Sequence, residues 1–358
     1  MILMNIDPIL SFAIPTWNRQ NELKECLNAL IKEIENTKEC VEIFVSDNDS
    51  TDLTPKILEE YSSKYNFIKY SRNEKNMGFD MNLIKAIENS KGKYIWTFSD
   101  DDLIKEGVLN KVIESINKYE PTYIAINYDH FIADNGNKNQ IKMVETYKID
   151  EHKSKLDKYN YKILSSLWLN INFKEILEKE FTRITYLNMN IFKRASLDLN
   201  LVKNNIDKVK HFSHIFMMAQ ATINGGAIIL PIICVHKRED NSNTNINVFY
   251  KNLPDTMEFI FSEYHIDSSY TKKFFKNYRK IYLNIIYIIY ISFNIKIYRK
   301  SLNLKQFNKN LIKHYVYVYF NYVHPIIPRK FAILVLKIYR LYRGKGADIP
   351  SEKELRFD

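Results

Sequence analysis

Three consecutive carboxylates, Asp100, Asp101 and Asp102, follow an aromatic run in the stretch YIWTFSDDDLI (94–104). Adjacent like charges disfavour one another's ionised forms, so a counter-ion is expected beside them. Neighbouring aspartates at a strand end suit Mg²⁺ or Mn²⁺, hard cations that take carboxylate and phosphate oxygens together. An ion held there would also offset the negative charge that builds on a diphosphate leaving group as its bond breaks. A second acidic cluster, DNDSTD, offers Asp47 and Asp49 as acceptors for a ribose or a base edge. Asp and Asn also favour turns for their own sake, so part of that cluster could be purely structural.

The elements that carry these residues are legible as alternating short apolar runs and helical patterns. LSFAIP (10–15), VEIFVSD (41–47), FIKYSRN (67–73) and KYIWTF (93–98) read as strands. Between them, ELKECLNALIKEI places Leu23, Leu27, Leu30, Ile31 and Ile34 on one helical face. TPKILEEYSSKY starts with Pro55 in its first turn, and FDMNLIKAIENSKG is stopped by Gly92. LIKEGVLNKVIESINKY reads as one further helix. Strand–helix alternation at this spacing predicts βαβ units and a parallel sheet, and such sheets bind ligands at the carboxyl ends of their strands. PTWNR, DNDSTD, RNEKNMG and SDDD each follow a strand, so all four polar clusters are expected on one rim. From residue 122 to 200 the pattern is less regular, with a strand at Tyr123–Tyr128. Residues 209–223 read as a helix and 227–240 as a strand ending in the basic VHKRED.

Composition bounds the remaining classes. The 358 residues exceed one ordinary domain. Only 8 glycines are present, with no GxGxxG and no GxxxxGK[ST], which excludes the usual dinucleotide and P-loop readings. Cys26, Cys40 and Cys234 are odd in number and lack metal-ligand spacing, as in a reducing compartment without a disulfide framework. The opening MILMNIDPIL lacks a basic start and a small-residue cleavage site, so the chain reads as cytoplasmic.

The segments FAIPTWNR, FVSDNDSTDLT and NEKNMGFDMNLIKAIENSKGKYIWTFSDDDLI together resemble the family 2 glycosyltransferases of the GT-A fold, on the bacterial surface-polysaccharide side that includes abequosyltransferase-like enzymes. The resemblance is close over about residues 8–130 and loose over 180–240. It implies a Rossmann-like, mostly parallel α/β sheet with flanking helices, a nucleotide-sugar donor (a UDP-sugar first), a divalent metal, and an inverting displacement by an acceptor hydroxyl. It implies roles for Pro15, Thr16 and Arg19 in the first nucleotide loop, for Asp47 and Asp49 at the uracil or ribose, and for Asn76 and Gly78 beside the donor. Ser99 stands where the family's Asp-x-Asp-Asp has its first acid. Asp101 is therefore the leading metal ligand, with Asp102 as a further ligand and Asp100 in support. Where the family has an acidic base, KHFSHIFMM offers His211 and His214; His214 is chemically capable. A histidine packed on a helix face is the plainer reading, and Asp207 or Glu239 would then follow as base. VHKRED resembles the family's late basic segment, with His236 and Arg238 set to meet the diphosphate or the metal shell.

The charge is unevenly spread. Between Ser268 and Ala347 there are 17 Lys/Arg and no Asp or Glu, whereas residues 348–358 are net −2; the chain's +10 therefore leaves the first 267 residues at −5. A boundary near residue 240 separates an expected catalytic domain (1–240) from a basic, mainly helical C-terminal region (241–358). IYLNIIYIIYISFNI (281–295) is too short to span a bilayer, and its flanking cations suit an anionic membrane interface. Burial against the catalytic domain is the competing reading. No nucleic-acid motif accompanies the basic-aromatic stretches, so no nucleic-acid partner is expected. A lipid-linked acceptor at the inner face of the cytoplasmic membrane would suit such a tail. The alternatives are a sugar nucleotidyltransferase, which would carry a Gly-rich loop after its first strand, and a non-enzymatic membrane- or nucleic-acid-binding protein.

Overall fold

Seven consecutive buried residues, Leu10–Thr16, form β1, and a strand covered on both faces needs such a continuous apolar run. The computed structural model describes residues 7–133, 141–143, 168–238 and 252–282. In chain order the elements continue with α1 (Gln20–Glu35), β2 (Val41–Asp47), α2 (Thr54–Lys64), β3 (Ile68–Arg72), α3 (Phe79–Asn89), β4 (Tyr94–Thr97), β5 (Leu103–Ile104), α4 (Leu109–Tyr119) and β6 (Tyr123–Ala133). Then come β7 (Ile141–Met143), β8 (Trp168–Ile171), α5 (Phe173–Ile184), β9 (Asn190–Lys193), α6 (Leu199–Asn204), α7 (Ser213–Thr222), β10 (Ala227–Arg238), α8 (Leu253–Glu263) and α9 (Ser268–Tyr282).

The strands make one sheet in the order β3-β2-β1-β4-β9-β6-β10-β5, with β7 on β6 and β8 on β10. β1 pairs in parallel with β2 and β4, and β2 with β3, so the carboxyl ends of these four strands share one rim. β9 then enters antiparallel between β4 and β6, and β5 runs antiparallel to β10. The mostly parallel α/β sheet with flanking helices is the expected class. On one side, α1 buries Leu23, Leu27, Leu30, Ile31 and Ile34 against α2, α4 and the strands. Each such side chain contributes about 1.5–3 kcal/mol through burial. Gly92 lets the chain pass the start of β1, since a Cβ there would stand 2.5 Å from the Ser11 nitrogen.

Two boundaries differ from the sequence expectation. LIKEGVLNKVIESINKY is not one helix: Leu103 and Ile104 pair with His236 and Val235 as β5, and α4 starts only at Leu109. Gly107, with φ +77°, turns the chain between them. Glu33 of α1 then accepts from the N–H groups of Gly107 (2.7 Å) and Leu109 (3.2 Å), supplying the anionic cap that helix N-termini favour. The helix expected over 209–223 begins at Ser213, because His211 takes a left-handed φ of +65°.

The chain divides into two compact units, residues 1–243 and 244–358. In the second, the described residues form α8 and α9, joined by edge-on contacts of Phe261 with Phe274 and Phe275. Lys272, Lys273 and Lys276 lie exposed on α9 while Phe274 and Tyr278 are buried. Among the described residues, no helix is long and apolar enough to cross a membrane. The apolar run expected at 281–295 lies outside them beyond Tyr282, as does Glu239.

Candidate active site

The acidic turn between β4 and β5 meets its counter-charges within the chain. Thr16 Oγ1, at the end of β1, donates to Asp100 Oδ2 at 2.7 Å. Arg19 pairs with Asp101 Oδ2 and lies 3.6 Å from Asp100 Oδ1. Ser99 Oγ donates to the other Asp101 oxygen at 2.5 Å. Asp102 is held by Asn188 Nδ2 at 2.8 Å and by the Arg238 N–H at 2.7 Å. Burial first, and the Asp101 charge second, push the Asp100 and Asp102 carboxyls well above the usual carboxylate range. Arg19 is the side-chain cation paired with the turn, and the raised carboxyls reflect the cost of burying neighbouring acids together.

The second and third loops are braced by amides. Asp47 uses Oδ1 on the Ser50 N–H (3.1 Å), and its buried Oδ2 accepts no hydrogen bond but lies 3.6 Å from Arg72 Nε. Arg72 also donates to Asp49, a residue with φ +63°. Asn48 Nδ2 donates to Asn76 Oδ1 (2.9 Å), and Asn48 Oδ1 accepts from the Met77 N–H (2.9 Å) and from Asn73. Asn76 Oδ1 also accepts from the Gly78 N–H at 2.9 Å, and Gly78 adopts φ +81°, a region that favours glycine. Asn82 of α3 ties the loops to the strands through the carbonyls of Ser46 (2.9 Å) and Thr16 (3.3 Å). Pro15 is buried within β1, in register with Ser46 of β2.

Thr16, Arg19, Asp100, Asp101 and Arg238 thus converge on one turn, and Asp47, Asp49, Asn76 and Gly78 line the adjoining loops. Asn48, Asn73, Asn82, Arg72 and Asn188 were not singled out by sequence. For all but Asn82 the signal is the Asn density of DNDS, RNEKN and NMN, because an amide that donates and accepts at once suits such bracing.

The downstream residues sit otherwise than expected. His214 is 2% exposed inside α7, with Nε2 at 3.0 Å from the Thr185 carbonyl and a buried, unpartnered Nδ1. Burial lowers its pKa to about 4, which describes a packed, neutral imidazole at neutral pH. Asp207 is almost fully exposed and lies 3.8 Å from Lys210. His211 is exposed, stacks on Phe79, and has its N–H held by Asp80 at 2.7 Å. His236 Nδ1 stands 2.5 Å from Asp129 Oδ1. Arg238, 4% exposed, spends its guanidinium on Glu25 and on the Asp101 carbonyl. It latches β10 to the acidic turn and is not free to meet a diphosphate.

A divalent cation fits this turn, since it would offset the mutual repulsion of the neighbouring acids and their oxygen donors suit a hard ion. Among the described residues no three carboxylate, His or Cys groups form a complete metal cage. Phosphate oxygens would have to supply further ligands. Both acids have both oxygens engaged, but Asp102 is held by buried groups, whereas Asp101, with its side chain 16% exposed, is met by the Ser99 hydroxyl and the partly exposed Arg19 and is the better ligand of the two.

Residues 11–181 match the profile described as glycosyl transferase family 2. The chain is 38% identical over 102 residues to abequosyltransferase RfbV of Salmonella typhimurium, covering 28% of this chain and 30% of that protein. It is 30% identical over 113 residues to GalNAc(5)-diNAcBac-PP-undecaprenol beta-1,3-glucosyltransferase of Campylobacter jejuni, covering 31% and 35%. The crystal structure of S. aureus TarS shares the fold at a TM-score of 0.53 and 18% identity, covering 77% of this chain and 44% of that one. Each match spans less than two thirds of the relative's length. Residues 11–181 of the chain are thus similar to the family 2 glycosyltransferases.

Proposed function

We propose that this chain moves a sugar from a nucleotide-diphosphate sugar, a UDP-sugar first, to a hydroxyl of a glycan acceptor in bacterial surface-polysaccharide synthesis. The observation that carries this reading is the convergence of four strand-end loops around a partly exposed carboxylate, Asp101, with Arg19 beside it. In the reaction, the acceptor oxygen attacks the anomeric carbon from the side opposite the leaving group. The bond from that carbon to the diphosphate oxygen breaks, configuration inverts, and the diphosphate leaves with the electron pair. Bound at Asp101, with Asp100 in support, Mg²⁺ or Mn²⁺ would neutralise charge on the leaving diphosphate. Arg19, with 35% of its side chain exposed, is the cation placed to share that task. Asp47 and Asp49 would face the nucleoside, and Asn76 and Gly78 would shape the donor side of the rim.

The proton of the acceptor hydroxyl needs a base outside the core. His236 suits that task better than His214: with Nδ1–H donated to Asp129, its Nε2 carries the lone pair that can take a proton. The Campylobacter relative is named for an undecaprenyl-diphosphate-linked acceptor. With a basic C-terminal region (241–358) following a catalytic domain (1–240) in the sequence, that supports a lipid-linked acceptor and peripheral attachment to the inner face of an anionic membrane. The nucleotidyltransferase reading is disfavoured by the connection from β1 to α1, which is the three residues Trp17–Arg19 with no glycine.

A thermal-shift panel of nucleotide sugars, each with and without Mn²⁺, tests the proposal, because a ligand that binds only the folded chain raises its melting temperature. At least one nucleotide sugar should stabilise the protein, more strongly with Mn²⁺. A panel without any shift would refute donor binding, and release of pyrophosphate instead of nucleoside diphosphate would make the chain a nucleotidyltransferase.

A further inference from the structure

One buried amide spans the acidic turn from end to end. Asn188, 2% exposed, accepts from the Ser99 N–H through Oδ1 at 2.6 Å and donates from Nδ2 to Asp102 Oδ2 at 2.8 Å. The partners fix which end is oxygen and which is nitrogen, since an N–H must face the former and a carboxylate the latter. The Asn188 backbone carbonyl accepts from Trp96 Nε1 at 2.8 Å, tying the same residue to the strand that delivers the turn. Its neighbours are tied there too, with Thr97 Oγ1 at 2.8 and 3.1 Å from the carbonyls of Leu187 and Asn190. The amide therefore rests on a fixed support.

The second Asp102 oxygen accepts from the Arg238 N–H, so both its oxygens are held by buried groups, whereas the Asp101 oxygens are met by the Ser99 hydroxyl and the partly exposed Arg19. Asp101, in the middle of the turn, is the acid left nearest to solvent. We propose that Asn188 is a positioning residue. By pinning Ser99 and Asp102, it sets where the Asp101 carboxylate stands, and it makes Asp102 an anchor of the turn in place of a metal ligand. Truncating the amide would leave the Ser99 N–H and one Asp102 oxygen without their partner, and the turn would relax to recover hydrogen bonds. The inference rests on the reading that Asp101 holds a divalent cation.

The test is Mn²⁺ binding to the full chain, followed by loss of the free-ion electron paramagnetic resonance signal, with UDP or GDP added or omitted. Asp101→Asn should abolish binding. Asn188→Ala and Asp102→Asn should each weaken it roughly 10- to 100-fold, the usual effect of removing a group that orients a metal ligand. The double variant should bind about as well as either single one, because both changes break the same clamp. Wild-type affinity in Asn188→Ala would overturn the proposal. So would loss of binding in Asp102→Asn as complete as in Asp101→Asn, or additive effects in the double variant. If the wild type takes up no Mn²⁺, or Asp101→Asn binds normally, the metal reading itself fails and the clamp falls with it. Should Asn188→Ala melt below the assay temperature, Asp102→Asn, which keeps the shape of its side chain, decides the matter against Asp101→Asn.

Discussion

His214 shows how a single residue's surroundings decide its chemistry. An imidazole at the start of a helix is capable of base catalysis, yet this ring is enclosed and hydrogen-bonded to the Thr185 carbonyl. Its folded-state pKa of about 4 lies below the ordinary 6.5, so protons bind the unfolded chain more tightly. The stability it contributes is complete above pH 6.5 and is lost as the pH falls through about 4, by an amount on the order of 3 kcal/mol. His214→Gln keeps a donor for Thr185 and removes the titration, so the fall in melting temperature across that window should become shallower. An unchanged slope in melts over the same range would contradict a buried neutral His214. His236→Asn should instead lower the turnover of sugar transfer at least tenfold, as loss of a general base does, while leaving donor binding unchanged in the thermal-shift assay. The two histidines are equivalent by residue type and are separated only by what touches them.

At the scale of elements, α4 depends on a residue 76 positions away. The Leu109 N–H is capped by Glu33, and the helix's own N-cap residue, Val108, has no side chain able to do so. Glu33→Ala should cost about 1–2 kcal/mol, the range for losing a helix cap, with Glu33→Gln losing less because it can still accept. Chemical denaturation would measure both, and equal stability of all three proteins would rule out the cap. The same carboxylate explains why the predicted helix LIKEGVLNKVIESINKY starts late. Two residues of that stretch are claimed by β10 before the helix is capped. α3 and α7 are coupled in a comparable way, since Asp80 near the start of α3 accepts from the N–H groups of His211 and Ser213.

For the whole molecule, the distribution of charge is the property that bears on the proposed membrane partner. The described part of the basic region exposes Lys272, Lys273 and Lys276 on one helix whose Phe274 and Tyr278 are buried. Cations near an anionic surface contribute roughly 1 kcal/mol each. Lys272→Glu, Lys273→Glu and Lys276→Glu combined should reduce sedimentation of the full chain with phosphatidylglycerol vesicles at low salt. Raising the salt towards about 1 M, where the Debye length is near 3 Å, should have the same effect on the wild type. Wild-type sedimentation that is unchanged by either treatment would remove the electrostatic argument for membrane attachment.

The sequence by itself determined the parallel strands, the helices between them and the rim on which the chemistry gathers. Apolar periodicity and turn residues are local signals, and βαβ connections place successive strand ends side by side. It also determined that Asp100 to Asp102 need counter-charge, because adjacent like charges require it wherever they fold. Only the tertiary structure decided which charge and which hydrogen-bond donors meet them. Thr16 and Arg19 reach Asp100 and Asp101 from 82 to 84 positions away, and Asn188 and Arg238 reach Asp102 from 86 and 136 away. Beyond the Asn-rich NMN no local pattern marks Asn188, since a buried amide is chosen by the two partners it joins. Nor does one mark β5 as a strand, since its two residues have no partner until β10 arrives from 131 positions downstream. Hydrogen bonds between distant residues are selected by the closed fold, and that is where the anchored and the exposed aspartate part company.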